Sequence, residues 1–340
     1  MLICCEAETI EKCPNCGADI NPDDAFCSCC GLSLAEWAES QGYQDQEALQ
    51  LSTFDMVKEG FRSLFDPSPV NVPPNMSVYL NRPMQPLFPY VLGALILFSV
   101  GIIVTYGGEW MPYLGYFLAG YAAPIVYLVY MVRSDRYERE PLALVAYCFG
   151  WGAFSGIVAA AFNSLITEPF LGVGGAGFIE EPLKIYGVYL IAKSSRVKDE
   201  FNDHIDGMVY GAAAGAGFAG LENFWYLFEM IVNLQIPAIT AILLRSTTAF
   251  MHLAWSAIAG RSLGLAKVLK GDIELIDIVP GVVVAAVIHM VWNLSDPLVA
   301  FIVILPFILG SLRQQIRVGL RDEEKWGYQC FAPDEDEGTQ

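Results

Sequence analysis

Residues 177–186 read G-F-I-E-E-P-L-K-I-Y. Glu180, Glu181 and Lys184 sit in a glycine-rich, otherwise apolar run that continues to Ala192. Ionisable groups are costly inside a bilayer, and where they occur they mark function. Whether this run crosses a membrane therefore decides how the chain is read. Glu180 and Lys184 are four residues apart, so on a helix they share a face, acid first, which is the favourable order. Pro182 lacks an N–H and is best tolerated in a first helical turn. The preceding Gly172–Gly177 run is a poor helix former. These features predict a broken span whose regular part begins near Glu180, with both carboxylates at the positive end of the helix dipole.

Composition places the run in a membrane protein. Of 340 residues, 54% are hydrophobic and only 16% are charged, with a mean hydropathy of +0.43, against about 25% charged in soluble domains. The formal net charge of −18 is concentrated in the flanks. Residues 1–86 hold thirteen Asp and Glu against four Lys and Arg, and Arg321–Gln340 adds seven acids. That acidity argues against a nucleic-acid partner. Met1–Lys12 lacks the basic start and apolar core of a secretory signal.

From Leu87 onward eight stretches approach the ~20 residues needed to span hydrocarbon: 87–106, 112–132, 141–166, 169–192, 206–228, 238–260, 274–294 and 296–312. Arg133, Arg136 and Arg139 follow the second, Lys193, Arg196 and Lys198 the fourth, Arg261, Lys267 and Lys270 the sixth, and Arg313, Arg317, Arg321 and Lys325 the eighth. The alternate connections carry no Lys or Arg. The positive-inside rule then puts both termini in the cytoplasm. The expectation is an all-α polytopic protein of the plasma membrane, eight helices across the lipid bilayer, N-in and C-in.

Away from the first few residues of each span, the ionisable residues inside them are Glu180, Glu181, Lys184, Glu222, Arg245, His252 and His289. At about 1.5 Å per residue, all fall in one layer from the middle to the outer half, which argues for one shared site. His289 and Asn293 share a helix face, as do Phe218 and Glu222. Asn223 joins the candidates as a helix-joining group, Lys184 as a counter-ion, and Arg245 as a boundary anchor. His204 falls in a connection and is set aside.

Ahead of the spans, Cys13-x-x-Cys16-Gly and Cys27-x-x-Cys30-Gly stand ten residues apart. Four thiolates at this spacing form a tetrahedral zinc shell, and metal would supply the folding energy that so short a segment cannot find in a core. We expect residues 1–35 to be a zinc ribbon with structural Zn2+ on Cys13, Cys16, Cys27 and Cys30, docking an unidentified cytoplasmic partner. Residues 36–86 read as an amphipathic segment, on the membrane or packed on its own chain, followed by a linker with seven prolines in Asp66–Pro89. Residues 87–313 form the membrane domain and 314–340 an acidic tail.

Several motifs fail. Gly172/Gly174/Gly177 and Gly215/Gly217/Gly220 match G-x-G-x-x-G, yet neither follows a strand of a βαβ unit. There is no Walker loop and no H-E-x-x-H. What does match is the ordered set Glu180-Glu181-x-x-Lys184, Asp206-Gly207-x-x-Tyr210-Gly211, Gly217-Phe218-Ala219-x-x-Glu222-Asn223, His252 and His289-x-x-Trp292-Asn293. Over roughly 110–294 these residues resemble the PrsW-type intramembrane proteases, relatives of the CAAX-protease-like membrane peptidases. The appended ribbon departs from the minimal family. The resemblance implies hydrolysis of a peptide bond in a membrane-anchored protein such as an anti-sigma factor. A glutamate of the 180/181 pair would take a proton from water. The other glutamate, with Glu222 or His252, would hold the water or pass the proton on. His289 and Asn293 would donate to the oxyanion, and no catalytic metal is expected. Three alternatives stay open: a zinc-dependent protease using two histidines and a glutamate, a proton-coupled transporter, and an inactive scaffold that binds partners.

Overall fold

The computed structural model describes residues 52–67, 88–106, 112–138, 140–194, 197, 200–270 and 273–325, and positions 12, 13, 16, 18–20, 26, 27, 29–31, 33 and 34 of the N-terminal stretch. Among these the chain is helical, with isolated bridges Lys12–Asp19 and Phe26–Ser33 instead of strands. The helices are α1 (Thr53–Arg62), α2 (Phe88–Thr105), α3 (Pro112–Ser134), α4 (Leu142–Phe162), α5 (Gly177–Lys193), α6 (His204–Phe228), α7 (Ala238–Lys270), α8 (Val279–Leu294) and α9 (Leu305–Lys325). The linker and acidic tail fall largely outside the described residues.

Among the described residues, five segments are long and apolar enough to cross a membrane: Phe88–Thr105, Pro112–Ser134, Leu142–Leu171, Leu275–Leu294 and Pro297–Glu323. Their outer faces carry exposed apolar side chains, among them Ile96, Ile103, Leu165 and Ile302, as lipid contact demands. The helices α5, α6 and α7, which hold most of the ionisable groups, fall outside that set, α5 because it has 17 residues and α6 and α7 because glycine, polar and charged residues lower their hydropathy.

The packing follows from α6. It starts with a capping box, Asp203 accepting from the backbone of Ile205 and Asp206, and it is buried along nearly its whole length. Its glycines and alanines let α3, α4 and α7 approach closely. A Cβ on Gly211 would collide with the Ser256 carbonyl of α7, and one on Gly215 with the His252 carbonyl. The small-residue step therefore sets the height of His252 beside α6.

The break before α5 lies where the glycine run predicts. A π-turn, Asn163–Thr167, extends α4 into a short helix, Glu168–Leu171. Gly172 reverses the chain at φ 64°, and a 3-10 turn, Val173–Gly175, leads into α5. The regular helix begins at Gly177, one turn earlier than expected. Glu180 stays in the first turn, but Pro182 sits in the helix interior, so the Phe178 carbonyl lacks its usual N–H partner. The segment α1 packs on its own chain: Met56 is buried, Gly60 abuts Val284 of α8, and Gln315 Nε2 of α9 donates to the Ser63 carbonyl at 3.3 Å.

His204 is corrected from a loop residue to the buried first residue of α6, with Nε2 3.7 Å from Asp322. Around it gathers a group of buried acids. Burial, and then the nearby Asp206 charge, push Glu138 up to about 10 and Glu140 well above the usual carboxylate range.

The close contact of α6 with α7 yields a test. Gly211→Leu should cost about 2 kcal/mol or more through overpacking, read as a lower unfolding temperature in detergent. Gly310→Ala on α9, where a Cβ meets nothing within 4 Å, should leave stability unchanged or raise it slightly.

Candidate active site

The break between α4 and α5 opens a cavity of about 520 Å3 into the bundle. Glu180, Glu222, His252, His289 and Asn293 line it, together with Asn163 and Arg245. Glu181, next to Glu180 on α5, and Lys184, one turn further on, lie behind it and are fully buried. The structure thus brings all the sequence-predicted groups of spans four to seven together, but in two layers.

The rear layer is a continuous chain of polar contacts. Lys184 Nζ donates to Glu181 Oε1 at 2.6 Å and to His252 Nδ1 at 3.1 Å. That leaves His252 Nε2–H to donate to Glu222 Oε2 at 2.9 Å. Arg245 Nη2 donates to the same Glu222 oxygen at 2.6 Å, and Arg245 Nε donates to Asn223 Oδ1 at 2.7 Å. Asn223 Nδ2 then donates to the Gly120 carbonyl of α3 at 3.1 Å. His289 Nδ1 donates to Glu181 Oε1 at 2.9 Å, and the ring stacks on Trp255 with centroids 4.0 Å apart. The Lys184 ammonium also lies over the Phe218 ring at 4.6 Å. Lys184 pairs with Glu181 at i,i+3 and not with Glu180 at i,i+4, because Glu180 turns toward the cavity.

The front layer is sparser. Glu180 Oε1 accepts from Asn163 Nδ2 at 2.8 Å, while Oε2 is buried without a hydrogen-bond partner, 3.9 Å from His289 Nδ1. With Nδ1 spent on Glu181, Nε2 is the polar atom His289 has left for a ligand. Asn293 Nδ2 donates to the Val173 carbonyl at 3.1 Å, which ties α8 to the chain break and leaves one amide N–H over.

Arg245 is corrected from boundary anchor to site member, 6% exposed and bonded to both Glu222 and Asn223. Asn163 was missed. Its only signal in the sequence was an amide at the end of an apolar span beside the glycine run.

Glu180, Glu181, His252 and His289 offer atoms within 4.8 Å of one another, the donor chemistry of zinc. The arrangement does not fit a divalent ion. Lys184 already bonds two of the four, and a second cation there would face a fully buried ammonium.

In the N-terminal stretch the sulfurs of Cys13, Cys16, Cys27 and Cys30 lie within 4.8 Å of one another, with Cys13–Cys30 at 3.6 Å and Cys16–Cys27 at 3.4 Å. Zn–S bonds of about 2.3 Å put tetrahedral sulfurs roughly 3.8 Å apart, so the four fit one zinc ion. The Cys27 carbonyl accepts from Gly31 N–H at 2.8 Å, and Gly31 takes φ 69°, closing a turn of the second pair.

The family model described as "PrsW family intramembrane metalloprotease" matches residues 140–311. Protease PrsW of Geobacillus kaustophilus is 35% identical over 163 residues, covering 44% of this chain and 65% of that protein. Protease PrsW of Bacillus subtilis is 33% identical over 116 residues, 32% of this chain and 52% of its own length, and that of Clostridioides difficile is 30% identical over 125 residues, 33% and 51%. The chain thus spans between half and two thirds of these curated relatives. No solved structure gives a significant match. With half of its length matched by the family model, and with the paired glutamates, Glu222 and both histidines gathered at one cavity, this integral membrane chain belongs to the PrsW family.

Proposed function

We propose that the chain is an intramembrane endopeptidase that hydrolyses a peptide bond of a membrane-anchored protein, with Glu180 as general base. The observation that carries this reading is the division within the glutamate pair. Glu180 Oε2 is at the cavity without a partner, while Glu181 is held by Lys184 and His289 behind it. A water at Glu180 Oε2 would give up its proton as its oxygen attacks the peptide carbonyl carbon. The carbonyl oxygen would become the oxyanion, stabilised by the spare amide N–H of Asn293 and by His289 Nε2 when that ring carries both protons. Glu180 would hand the proton to the amide nitrogen as the C–N bond breaks. Glu222 and His252, also at the cavity, would orient the substrate or the water. Glu181 and Lys184 act through His289 and His252 as positioning residues.

A metalloprotease is the second reading, favoured by the four clustered donors and by the family model's description. The ammonium of Lys184 among those donors is the argument against it. Proton-coupled transport would use the same buried acids, and it leaves the exposed break before α5 without a purpose.

The reading extends to eight spans in the plasma membrane, with both termini cytoplasmic as the loop charges indicate. Residues 1–35 would be a zinc ribbon that binds a cytoplasmic partner, 36–86 the amphipathic segment and linker, 87–313 the protease domain and 314–340 the tail.

Reconstituted protein and a single-span substrate test the chemistry. Glu180→Gln should lower cleavage by about 10²- to 10⁴-fold and leave the unfolding temperature near that of the parent. Equal cleavage by parent and variant would remove Glu180 as base. With the ribbon disabled by Cys13→Ser and Cys30→Ser, cleavage should survive a strong chelator, and loss of activity that Zn2+ restores would establish the metal reading.

Lys184→Met should destabilise the protein by about 3–5 kcal/mol by stranding the Glu181 charge, and adding Glu181→Gln should recover most of that loss. Denaturant unfolding in micelles measures both. Elemental analysis of the purified chain should find one zinc per molecule, absent from the Cys13→Ser/Cys30→Ser variant.

A further inference from the structure

Three elements send carboxylates into one buried space at the N-terminal end of α6. Asp135, Glu138 and Glu140 come from the connection between α3 and α4, Asp203 and Asp206 from the start of α6, and Glu323 from the last turns of α9. None is more than 4% exposed. Oxygens of Asp135, Glu140 and Asp206 lie within 4.8 Å of one another, as do those of Glu138, Asp203 and Asp206. The two triads share Asp206.

The way each carboxylate is held points to a ligand. Asp206 Oδ2 accepts from the backbone N–H groups of Asn202 at 2.7 Å and Asp203 at 3.0 Å, while its Oδ1 has no partner. Asp203 Oδ1 accepts from Ile205 N–H at 2.6 Å and Asp206 N–H at 3.0 Å, while its Oδ2 has none. Tyr210 donates its hydroxyl to Glu140 Oε2, and Glu140 Oε1 is left over. Glu323 is 0% exposed, faces the carboxyls of Asp135, Asp203 and Asp206, and neither of its oxygens meets a hydrogen-bond donor. One oxygen of each of the first three acids is fixed by a donor and the other is presented into the shared space. Outer-shell hydrogen bonds orient ligating carboxylates in this way. Among the described residues, the buried Arg261 has Glu59 and Asp322 nearby, and His204 has Asp322.

We propose that this cluster is a binding site for a hard divalent cation, Mg2+ or Ca2+, held by Asp135, Glu138, Glu140, Asp203 and Asp206 and closed by Glu323. An all-oxygen donor set with no nitrogen or sulfur selects this class over zinc. Asp206 and Glu222 are sixteen residues apart on α6, roughly 24 Å of helix, so the site is separate from the cavity at Glu180. A bound ion would fasten the α3–α4 connection and the C-terminal end of α9 to the start of α6. Asp206 and Tyr210, two residues of the family-like pattern that the cavity does not use, thereby gain a role.

The test uses the full chain in micelles, freed of Mg2+ and Ca2+, with Mn2+ as the spectroscopic probe. Saturable Mn2+ binding is expected, displaced by Mg2+ or by Ca2+ whichever is the preferred ion, with an unfolding temperature that rises with cation concentration. Glu323→Gln, which loses no hydrogen bond, and Glu140→Gln should each weaken binding at least about tenfold while circular dichroism and gel-filtration profiles stay those of the parent. The ribbon thiolates are the same in every variant and cannot produce that difference. Absence of saturable binding to the parent at millimolar Mn2+, or equal binding by parent and both variants, overturns the proposal. So does an unfolding temperature that responds to pH but to none of the three cations, which would mean that the carboxyls share protons instead.

Discussion

The buried ammonium of Lys184 is the contact on which the rest of the site depends. It has no route to water, so its charge has to be answered by the groups around it. Glu181 answers it from the same helix, and His252 accepts from it across the bundle on α7. Each of those partners is thereby oriented toward a further one, Glu181 toward His289 on α8 and His252 toward Glu222 on α6. Arg245 and Asn223 carry the chain on to α3. Five helices meet on one network in which nearly every donor has an acceptor. Such a network is rigid because each member would be stranded if its neighbour moved.

That rigidity explains why two adjacent glutamates differ so much. Neighbouring residues on a helix point about 100° apart, so Glu180 and Glu181 cannot both face the ammonium. Glu181 turns inward and is saturated. Glu180 turns toward the break, where Gly172 and the 3-10 turn keep α4 from closing over it. On the proposed reading, the carboxylate with a free oxygen at the cavity is the reactive one, and the carboxylate locked to the lysine is the structural one.

Much of this could be read from the chain. The positions of α2, α3 and α6 followed from hydropathy, with ends within two residues of expectation, while α7 runs ten residues past its expected end. The gathering of Glu180, Glu222, His252 and His289 followed from depth along each span, because 1.5 Å per residue is a reliable ruler. Partner choice was less legible. Arg245 read as an anchor because a cation near a span end usually reaches for the interface, and only the fold shows Glu222 and Asn223 within its reach. Lys184 paired with the other glutamate because i,i+3 and i,i+4 are equally close on a helix, and the cavity breaks the tie. At the start of α6, Asp206 stood out only as part of the family-like pattern, and no role followed from it. Asp135, Asp206 and Glu323 are far apart in sequence, and nothing local reports that they share one buried space.

The helix α6 joins these two charged regions, and its composition suits that position. Between Asp206 and Glu222 it holds mostly glycine, alanine and small apolar residues, packed directly against the backbones of α4 and α7. Without long side chains at the contact, the neighbouring helices cannot slide or roll without backbone atoms colliding. A helix held this way behaves as a rod, and the position of one end fixes the position of the other. The polar networks at its two ends then need no direct connection to remain in register. Lys184 and its partners define the end where Glu180 faces the cavity. The carboxylates around Asp206 define the opposite end, sixteen residues along the same helix.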